Sequence, residues 1–387
     1  MTTALLATLL LASTPARYLS AEGDDAADGC SPETAWRTVG RLNEGLPAGG
    51  RACLRAGDVF YGTVEVKGGP APDHPTVVTS YGEGAKPVVS NTKNLKRDPK
   101  LWTLFGTGTN GDWRFDLRND DNYDGVKGPE TNTGFLIVDG VVRPWKKYGY
   151  FDINADWDFA DDDDGILHVH LERNPAEAAQ DIRAAVNRHG IVLASNLVVS
   201  NIAVRAVGGH GMCGHHVAHV RISDCDFENI GGAELKGFMP GERMRYGNGV
   251  EFWKSASDAI VERCTFSNVY DVAFTMQGDH PETGWSDVHF RSNVVRSCSQ
   301  AFEIWVMKAA GGIGFRRCSF THNTVSDTGG GWGELTRPNR RCATPLLIYN
   351  TESDTFDIEV RDNDFGTPKH GLIHTIDGTV PEGYRIK

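Results

Sequence analysis

The second half of the sequence contains an internal repeat, which limits the fold of this chain more than any other feature. Six segments align, and they read VVSNIAV, RISDCDF, IVERCTF, HFRSNVV, GFRRCSF and EVRDNDF. One alignment column consists of Asn201, Cys225, Cys264, Asn293, Cys318 and Asn363. Its members are separated by 24, 39, 29, 25 and 45 residues, as expected for a short coil with loop insertions of variable length.

A short repeat of this kind predicts a β-solenoid, an all-β fold in which each repeat forms one coil. Neighbouring coils pair in parallel about 4.8 Å apart, and like residues stack in columns along the axis. The 45 glycines and 17 prolines fit a fold of many short strands and tight turns. We expect Cys225, Cys264 and Cys318 to be buried, stacked thiols. Cys30 and Cys53 lie outside the repeat and are the best candidates for a disulfide.

The regions outside the repeat are predicted to cap and to interrupt the solenoid. The segment SPETAWRTVGRLNEGL has Ser31 as a helix N-cap and Trp36, Val39 and Leu42 on one stripe, so an amphipathic helix is expected to cover the open end. Residues 97–183 break the repeat and contain strand-like segments, which predicts a β-rich insertion. The expected organisation is one β-helix domain over residues 17–387 that contains this insertion.

Residues 1–16 have the pattern of a secretion signal. An apolar stretch is followed by small residues as far as Ala16, so we expect cleavage there and an extracellular or periplasmic protein. No later apolar run reaches the roughly 20 residues that a membrane span needs. The formal net charge of −12 argues against a nucleic-acid partner, and the sequence leaves the oligomeric state open.

Several stretches of the chain resemble those of a known superfamily. They read YLSAEGDDAADGCSPETAWRTV, RAGDVFYGTVEV, YGEGAKPVV and the repeated RCTFSNV unit, and they look like right-handed parallel β-helix proteins of the pectate-lyase-like superfamily. The resemblance covers residues 17–95 and 185–387. It implies a single-stranded right-handed parallel β-helix and a carbohydrate-active enzyme: a polysaccharide lyase, a glycoside hydrolase or an epimerase. No catalytic residue is carried over by motif, because no individual enzyme family is matched.

Two glutamates are predicted to share one outward column of the solenoid. In GVEFW the apolar residues are expected to face the core, so that Glu251 and Trp253 face outward, and AFEIW repeats this pattern with Glu303 and Trp305. The two glutamates then lie two coils apart with Phe274 between them, and their Cα atoms are about 10 Å apart.

A carboxylate pair at this range is typical of glycoside hydrolysis, in which one group protonates the leaving oxygen and the other activates water or attacks carbon. We predict Glu251 and Glu303 as this pair. Asp271 and His210, in the turns before neighbouring strands, are expected to orient a reacting group, although polar turn columns are commonly structural. The alternative is that both glutamates only pair with nearby cations.

Aromatic and basic residues around the pair are predicted to bind the substrate. Outward Trp253 and Trp305 are suited to stacking on sugar rings. Loops at residues 231–246 and 328–342 are long enough to form site walls. The further predicted substrate-binding residues are Arg245, Tyr246, Lys254, His215, Lys308 and Arg337. Their charge makes an anionic sugar one expected substrate, and ordinary solvated loop charge is the alternative.

Two other functions stay open at this point. A polysaccharide lyase would neutralise a uronate with Arg or a metal and remove the C5 proton with Tyr246, Lys254, His215 or Arg245. Such a lyase could use calcium, whereas a hydrolase with this carboxylate pair requires no cofactor. A non-catalytic glycan-binding or adhesion solenoid would instead present a shallow aromatic surface.

Three further patterns are not interpreted as sites. GTGTNG, at residues 106–111, is followed by a strand-like segment rather than a helix, which excludes the usual dinucleotide motif. HHVAH reads as strand and turn, so no zinc site is predicted. The acidic run at residues 161–164 is predicted to be a solvated hairpin turn rather than a calcium site.

Overall fold

The computed structural model describes residues 15–96, 98–105, 111–119, 124–235, 243–279, 284–306, 314–337, 343–351, 355–376 and 379–387. Within these ranges the chain forms a parallel β-solenoid, which confirms the predicted all-β fold class. Lys308 and most of the predicted secretion signal lie outside the described residues. No helix among the described residues is long and apolar enough to cross a membrane.

The elements run as follows in chain order. The first coils contain β1 Ala16–Leu19, β2 Arg51–Arg55, β3 Val59–Tyr61, β4 Val64–Glu65, β5 Thr76–Tyr81, β6 Val88–Ser90 and β7 Thr92–Asn94. There follow β8 Trp102–Phe105, β9 Asp112–Asp116, β10 Thr133–Val138, β11 Val141–Arg143, β12 Phe159–Asp161, β13 Ile166–His170 and β14 Ile182–Val186. The later strands are β15 Ile191–Leu193, β16 Leu197–Ser200, β17 Ala203–Val207, β18 Met212–Ser223, β19 Asp226–Ile230, β20 Ala233–Leu235, β21 Met244–Tyr246, β22 Val250–Glu262, β23 Thr265–Val269, β24 Val272–Gly278, β25 Gly284–Arg291, β26 Val294–Arg296, β27 Gln300–Val306, β28 Gly314–Thr321, β29 Thr324–Ser326, β30 Leu346–Thr351, β31 Phe356–Arg361, β32 Ile373–Thr375 and β33 Tyr384–Ile386. The helices are α1 Val39–Gly45, α2 Pro175–Ala178 and α3 Trp332–Thr336, with short 3-10 turns at Pro32–Thr34, Pro99–Leu101 and Tyr150–Asp152.

Two parallel sheets wind around the core. The larger runs β1-β2-β5-β16-β18-β22 and then branches into β24-β27-β30-β32 and β25-β28-β31-β33, because β18 and β22 are long enough to belong to two sides of the coil. The second sheet has the order β29-β26-β23-β19-β17-β6-β3. We call residues 212–215 and 250–253, together with β24 and β27, the front strands.

The corners of each coil have a left-handed backbone. Three corner columns have φ between +48° and +57°: Asn196, His219, Asp258, Asp287 and Arg317; Asn201, Asp224, Arg263, Ser292 and His322; and Ala206, Asn229, Asn268, Ser297 and Asp327. Within a coil the three corners are five residues apart, whereas the return to the next coil takes 13, 29, 19 and 20 residues. Asn and Asp adopt this conformation most readily among residues with a Cβ, which explains their frequency here.

A ladder of polar side chains joins successive coils just after the middle corner. The Cys225 N–H donates to Cys264 Sγ at 3.5 Å, and the Cys264 N–H donates to Asn293 Oδ1 at 2.9 Å. Asn293 and Asn323 continue the pattern, because each N–H donates to the Asn of the next coil, at 3.0 and 2.9 Å. The predicted column is therefore confirmed at four positions, Cys225, Cys264, Asn293 and Asn363.

The predicted column is wrong at its other two positions. Cys318 lies within β28 and pairs with Ile358, and Asn323, five residues later, occupies the ladder position. Asn201 is a corner residue, one position before the ladder. RCSF resembles RCTF by composition alone, and a match of four letters does not fix a register that has to be shared by backbone pairing.

Replacing Asn293 by Ala is expected to lower the free energy of unfolding by about 2 kcal/mol, because it leaves buried backbone groups without partners. The Asn293 side chain accepts from the Cys264 N–H and donates to the Val261 carbonyl at 3.0 Å. Urea unfolding measures the change. Arg296→Ala, at an exposed position on the adjacent strand, is the control and should change stability by less than about 0.5 kcal/mol. Equal stability of both variants would contradict a stabilising ladder.

The cysteines in the described residues are free thiols. Cys225, Cys264 and Cys318 are buried, as predicted. The suggested pairing of Cys30 with Cys53 is wrong, because Cys30 is exposed in a turn while Cys53 is buried in β2.

The N-terminal cap is two short segments rather than the one helix predicted. A 3-10 turn follows Ser31, and α1 begins only after Thr38, whose side chain accepts from the Arg41 N–H at 3.1 Å. Between them the Trp36 N–H donates to the Tyr18 carbonyl at 2.8 Å, so this stretch bridges to β1 instead of forming a helix. The predicted apolar stripe of Trp36, Val39 and Leu42 is nevertheless buried, and Trp36 is almost fully covered by the core.

Antiparallel sheets occupy the chain between β6 and β15. One has the order β11-β10-β14-β7 and the other β12-β13-β9-β8. The first contacts the solenoid through Phe135, whose ring lies 4.9 Å from that of Trp332 in α3. The prediction of a solvated turn is wrong for Asp161, which is buried with Lys146 Nζ 2.7 Å from its carboxylate.

Candidate active site

The front strands bring both predicted glutamates into one column. The register pairs Glu251 with Thr275 and Thr275 with Glu303, so the two glutamates lie two strands, or about 10 Å, apart. The prediction that Phe274 lies between them is wrong. Phe274 pairs with Val250, is fully buried in the core, and is one residue out of the glutamate column.

Glu251 is a buried carboxyl group surrounded by hydrogen-bond donors. It is 4% exposed. The side-chain amides of Asn248, at 2.8 Å, and Gln277 both donate to Oε2, and His210 Nε2 lies 3.3 Å from Oε1. Burial raises the pKa of this carboxyl, and the two amides oppose the shift by favouring the ionised form. The two amide donors on Oε2 fix the orientation of the carboxyl group, and His210 lies beside the other oxygen.

Glu303 has a different environment. Among the described residues, Thr275 is the one that donates a hydrogen bond to it, from Oγ1 to Oε2 at 3.1 Å. Burial, followed by the negative charge of Asp271, raises the pKa of Glu303 to about 8. Asp271 is in turn bound by Arg337, whose guanidinium lies 2.5 Å from its carboxylate and partly offsets the effect of Asp271. Asp271 therefore acts on Glu303 through charge.

A second column beside the glutamates is aromatic. His215, Trp253, Gln277 and Trp305 are successive partners across the front strands. The rings of Trp253 and Trp305 are 5.5 Å apart and tilted by 43°, and the exposed Tyr349 lies 6.1 Å from Trp305. His215 is exposed at the other end, 6.4 Å from Trp253. These rings form a band next to the carboxyl groups, in which Trp253 is half-buried and Trp305, predicted to face outward, is buried.

Two predicted substrate-binding residues instead hold the walls together. Arg245 is buried, and its guanidinium donates to three backbone carbonyl groups, those of Gly232, Gly134 and Thr336. It thereby links the β20 loop, the antiparallel sheets and α3. Tyr246 donates its hydroxyl to Asn187 Oδ1 at 2.6 Å, and burial raises its phenol pKa. No pattern in the sequence indicates that these polar groups are buried.

The two remaining predicted cations differ in placement. Lys254 directly follows Trp253 in a left-handed conformation with φ of 67° and is half-buried. Arg337 is paired with Asp271 and lies over the ring of Tyr270, 4.9 Å from its centre.

Sequence reasoning missed three residues that contact the glutamates: Asn248, Thr275 and Gln277. Thr275 and Gln277 alternate with core residues in VAFTMQG, and aligning Phe274 with Phe302 as core residues would have found both. Asn248 lies three positions before Glu251, a spacing at which a turn amide reaches the following strand.

The two carboxyl groups of Glu251 and Glu303 can donate a proton and accept a proton at neighbouring positions of the site. Burial raises the pKa of both carboxyl groups, that of Glu303 to about 8, and the two amides on Glu251 oppose the shift there more strongly than Thr275 alone can oppose it on Glu303. Pairs of acids whose environments differ in this way are equipped for acid–base chemistry. Among the residues that the structure describes, no group of three or more His, Cys, Asp or Glu side chains is placed to hold a metal ion.

Comparison with known proteins defines the fold class. A family model described as "Right handed beta helix region" matches residues 177–365. The predicted right-handed parallel β-helix fold is thereby confirmed. No curated protein matches the sequence.

Three solved structures are similar to most of this chain. The structure of XylC with xylose has a TM-score of 0.57 and 9% identity, and the match covers 90% of this chain and 62% of that one. A GH136 lacto-N-biosidase from Eubacterium ramulus has a TM-score of 0.46 and 14% identity, with coverage of 92% and 61%. This chain therefore spans about three fifths of the length of both structures. A further structure, described as a glycoside hydrolase, has a TM-score of 0.49 and 9% identity, with coverage of 96% and 95%.

Proposed function

We propose that this protein is an enzyme that cleaves a carbohydrate, and that it does so as a glycoside hydrolase. The observation that carries the proposal is the column of Glu251, Thr275 and Glu303, with two carboxyl groups in contrasting environments on one face of a β-helix. The β-helix fold shared with the XylC–xylose structure agrees with this function.

The two glutamates then have separate roles. Glu303, kept protonated by burial and by Asp271, donates a proton to the leaving glycosidic oxygen. Glu251, held by the side-chain amides of Asn248 and Gln277, acts as the carboxylate that activates water or attacks the sugar. The half-buried ring of Trp253, supported by the buried Trp305 at 5.5 Å, stacks on a sugar ring beside the bond to be cleaved.

The arginines favour an uncharged sugar over a uronic acid. Arg245 is occupied by backbone carbonyl groups and Arg337 by Asp271, so neither guanidinium is open to a substrate carboxylate. Tyr246, the phenolic base that a lyase would use, donates to Asn187 and has a raised pKa. β-Elimination is thus less well supported than hydrolysis.

Product analysis tests the proposal. The protein would be incubated with neutral and uronate-containing oligosaccharides, and the expected result is new reducing ends without an ultraviolet-absorbing unsaturated uronate. An unsaturated product would establish a lyase. Binding of oligosaccharides with no product from any of them would favour the adhesion alternative.

Replacing Asp271 by Asn is expected to shift the basic limb of the pH–rate profile to lower pH by about one unit. Burial and Asp271 both raise the pKa of Glu303 while Arg337 lowers it, so removal of the Asp271 charge leaves burial opposed by Arg337 and gives a lower pKa. Glu303 then loses its proton at a lower pH, and the enzyme loses its general acid at the same pH. The control is Asp287→Asn, which also removes the carboxylate of an Asp–Arg pair, on another side of the coil. A basic limb at the same pH in both variants would contradict the role of Asp271.

Secretion is part of the proposal and rests on the apolar segment within residues 1–16. Expression of the full chain in a bacterial host, followed by N-terminal sequencing of exported protein, is expected to find a chain that begins close to residue 17. Full-length protein retained in the cell would contradict it.

A further inference from the structure

A stacked pair of histidines lies behind Glu251. His189 and His210 occupy equivalent turn positions in successive coils, with ring centroids 4.9 Å apart and planes inclined by 24°. Each ring accepts a backbone N–H from the following coil at Nδ1. The His210 N–H donates to His189 Nδ1, and the Asn248 N–H donates to His210 Nδ1, both at 3.0 Å.

These hydrogen bonds decide which nitrogen of His210 has the proton. A nitrogen that accepts a backbone N–H has no hydrogen of its own, so neutral His210 must be protonated at Nε2. That nitrogen lies 3.3 Å from Glu251 Oε1, the oxygen that Asn248 and Gln277 do not contact. Burial, followed by the charge of His215, lowers the pKa of His210 to about 3, which keeps the ring neutral.

We propose that His210 is a positioning residue for Glu251: its backbone-fixed tautomer donates from Nε2 to Oε1 and holds the carboxylate ionised and oriented. The catalytic part of this inference rests on the proposed function. His210 contacts Glu251 rather than a reacting atom, so it acts through that carboxylate. The titratable side chains that face His210 are Glu251, His189, Tyr246 and His215.

Asn and Gln at position 210 separate the two hydrogen bonds of the ring. His189, His210 and Asn248 form a turn ladder, in which each side chain accepts a backbone N–H of the next coil. Asn at position 210 retains an acceptor near the place of Nδ1 and has nothing at Nε2. The turn ladder already contains such an amide, because Asn248 Oδ1 accepts the Val272 N–H at 3.3 Å. Gln retains a donor near the place of Nε2 and loses the acceptor at Nδ1. His210→Asn therefore removes the contact with Glu251, and His210→Gln removes the hydrogen bond from the Asn248 N–H.

The first test follows Glu251 directly and needs no substrate. Carboxyl carbon NMR of the full chain is expected to show a higher Glu251 pKa in His210→Asn than in wild type, and a nearly unchanged one in His210→Gln. Ring nitrogen NMR of the wild type is expected to show a proton on Nε2 of His210 and none on Nδ1. An unchanged Glu251 pKa in His210→Asn, or a proton on Nδ1, would overturn the proposal.

The second test uses turnover. We expect His210→Asn to lower kcat about tenfold or more at unchanged KM, and to move the acidic limb of the kcat profile to higher pH, with a smaller loss in His210→Gln. His289→Asn is the control, since this half-buried ring contacts Ser319 on another side of the coil, and the variant should leave kcat and the acidic limb unchanged. A purely structural role predicts that kcat losses follow thermal stability and that the acidic limb stays in place, which would also overturn the proposal. If His210→Asn keeps the kcat of the wild type while Glu251→Gln is inactive, only this inference fails. If Glu251→Gln is fully active, the proposed function fails.

Discussion

Replacing Glu251 by Gln is expected to lower kcat by about a thousandfold or more, the usual range for loss of a general base or nucleophile. The change keeps the shape of the side chain and removes its charge. Glu251 lies in a buried site lined by donors from Asn248, Gln277 and His210, so a neutral amide can fill the space but cannot accept a proton or attack carbon. Initial rates of glycoside cleavage measure the effect.

The matched control for this variant lies on the same strand. Glu262 ends β22, is solvent-accessible and pairs with Arg263 and Arg291, so Glu262→Gln should keep kcat within about twofold. Both variants should unfold in one transition at a temperature close to that of the wild type. A Glu251→Gln protein that is folded and fully active would show that Glu251 does not take part in the reaction.

Replacing Glu303 by Gln is expected to abolish most activity and to stabilise the protein at alkaline pH. Since the pKa of Glu303 is raised from 4.5 to about 8 on folding, its contribution to stability is complete below pH 4.5 and is lost as the pH rises to 8. Gln has no proton to lose. Between pH 5 and pH 9 the wild type should therefore lose of order 3 kcal/mol of unfolding free energy relative to Glu303→Gln.

Urea unfolding at both pH values measures this difference. Glu359→Gln, at a position where the carboxylate forms exposed ion pairs and its pKa is lowered, is the control and should not gain stability at pH 9. Parallel pH dependences for wild type and Glu303→Gln would mean that Glu303 titrates normally. If the Glu303→Gln variant is more stable than the wild type and has lost its turnover, Glu303 is retained for function at the expense of stability.

The repeat made the solenoid predictable, because few folds other than a solenoid place small or apolar residues in a column spaced by coil lengths. The register within the repeat was harder to predict. Cys318 was placed in the ladder that belongs to Asn323, and Phe274 in the column that belongs to Thr275. Each error is a shift between similar short segments, and only the inward-outward alternation of whole strands, which backbone pairing enforces, resolves it.

The column that joins Glu251 and Glu303 in the candidate site was predictable from the sequence, and the residues that form the walls of the candidate site were not. Glu251 and Glu303 interrupt apolar alternation, which is a strong local signal. Arg245 and Tyr246 looked like ordinary loop residues, and their burial depends on Gly134 and Asn187, which are 111 and 59 residues away in the chain. Contacts between distant segments of this kind leave no periodic pattern in the sequence.

The spacing of the corners has a consequence for how this protein can diversify. Two sides of each coil are fixed at five residues between left-handed corners, so an insertion or deletion there would disturb every neighbouring coil. The return path varies from 13 to 29 residues, and it includes the front strands and the segments that cover them. Changes in chain length can therefore accumulate next to Glu251 and Glu303 without touching the scaffold, so that new specificities can evolve by loop exchange alone.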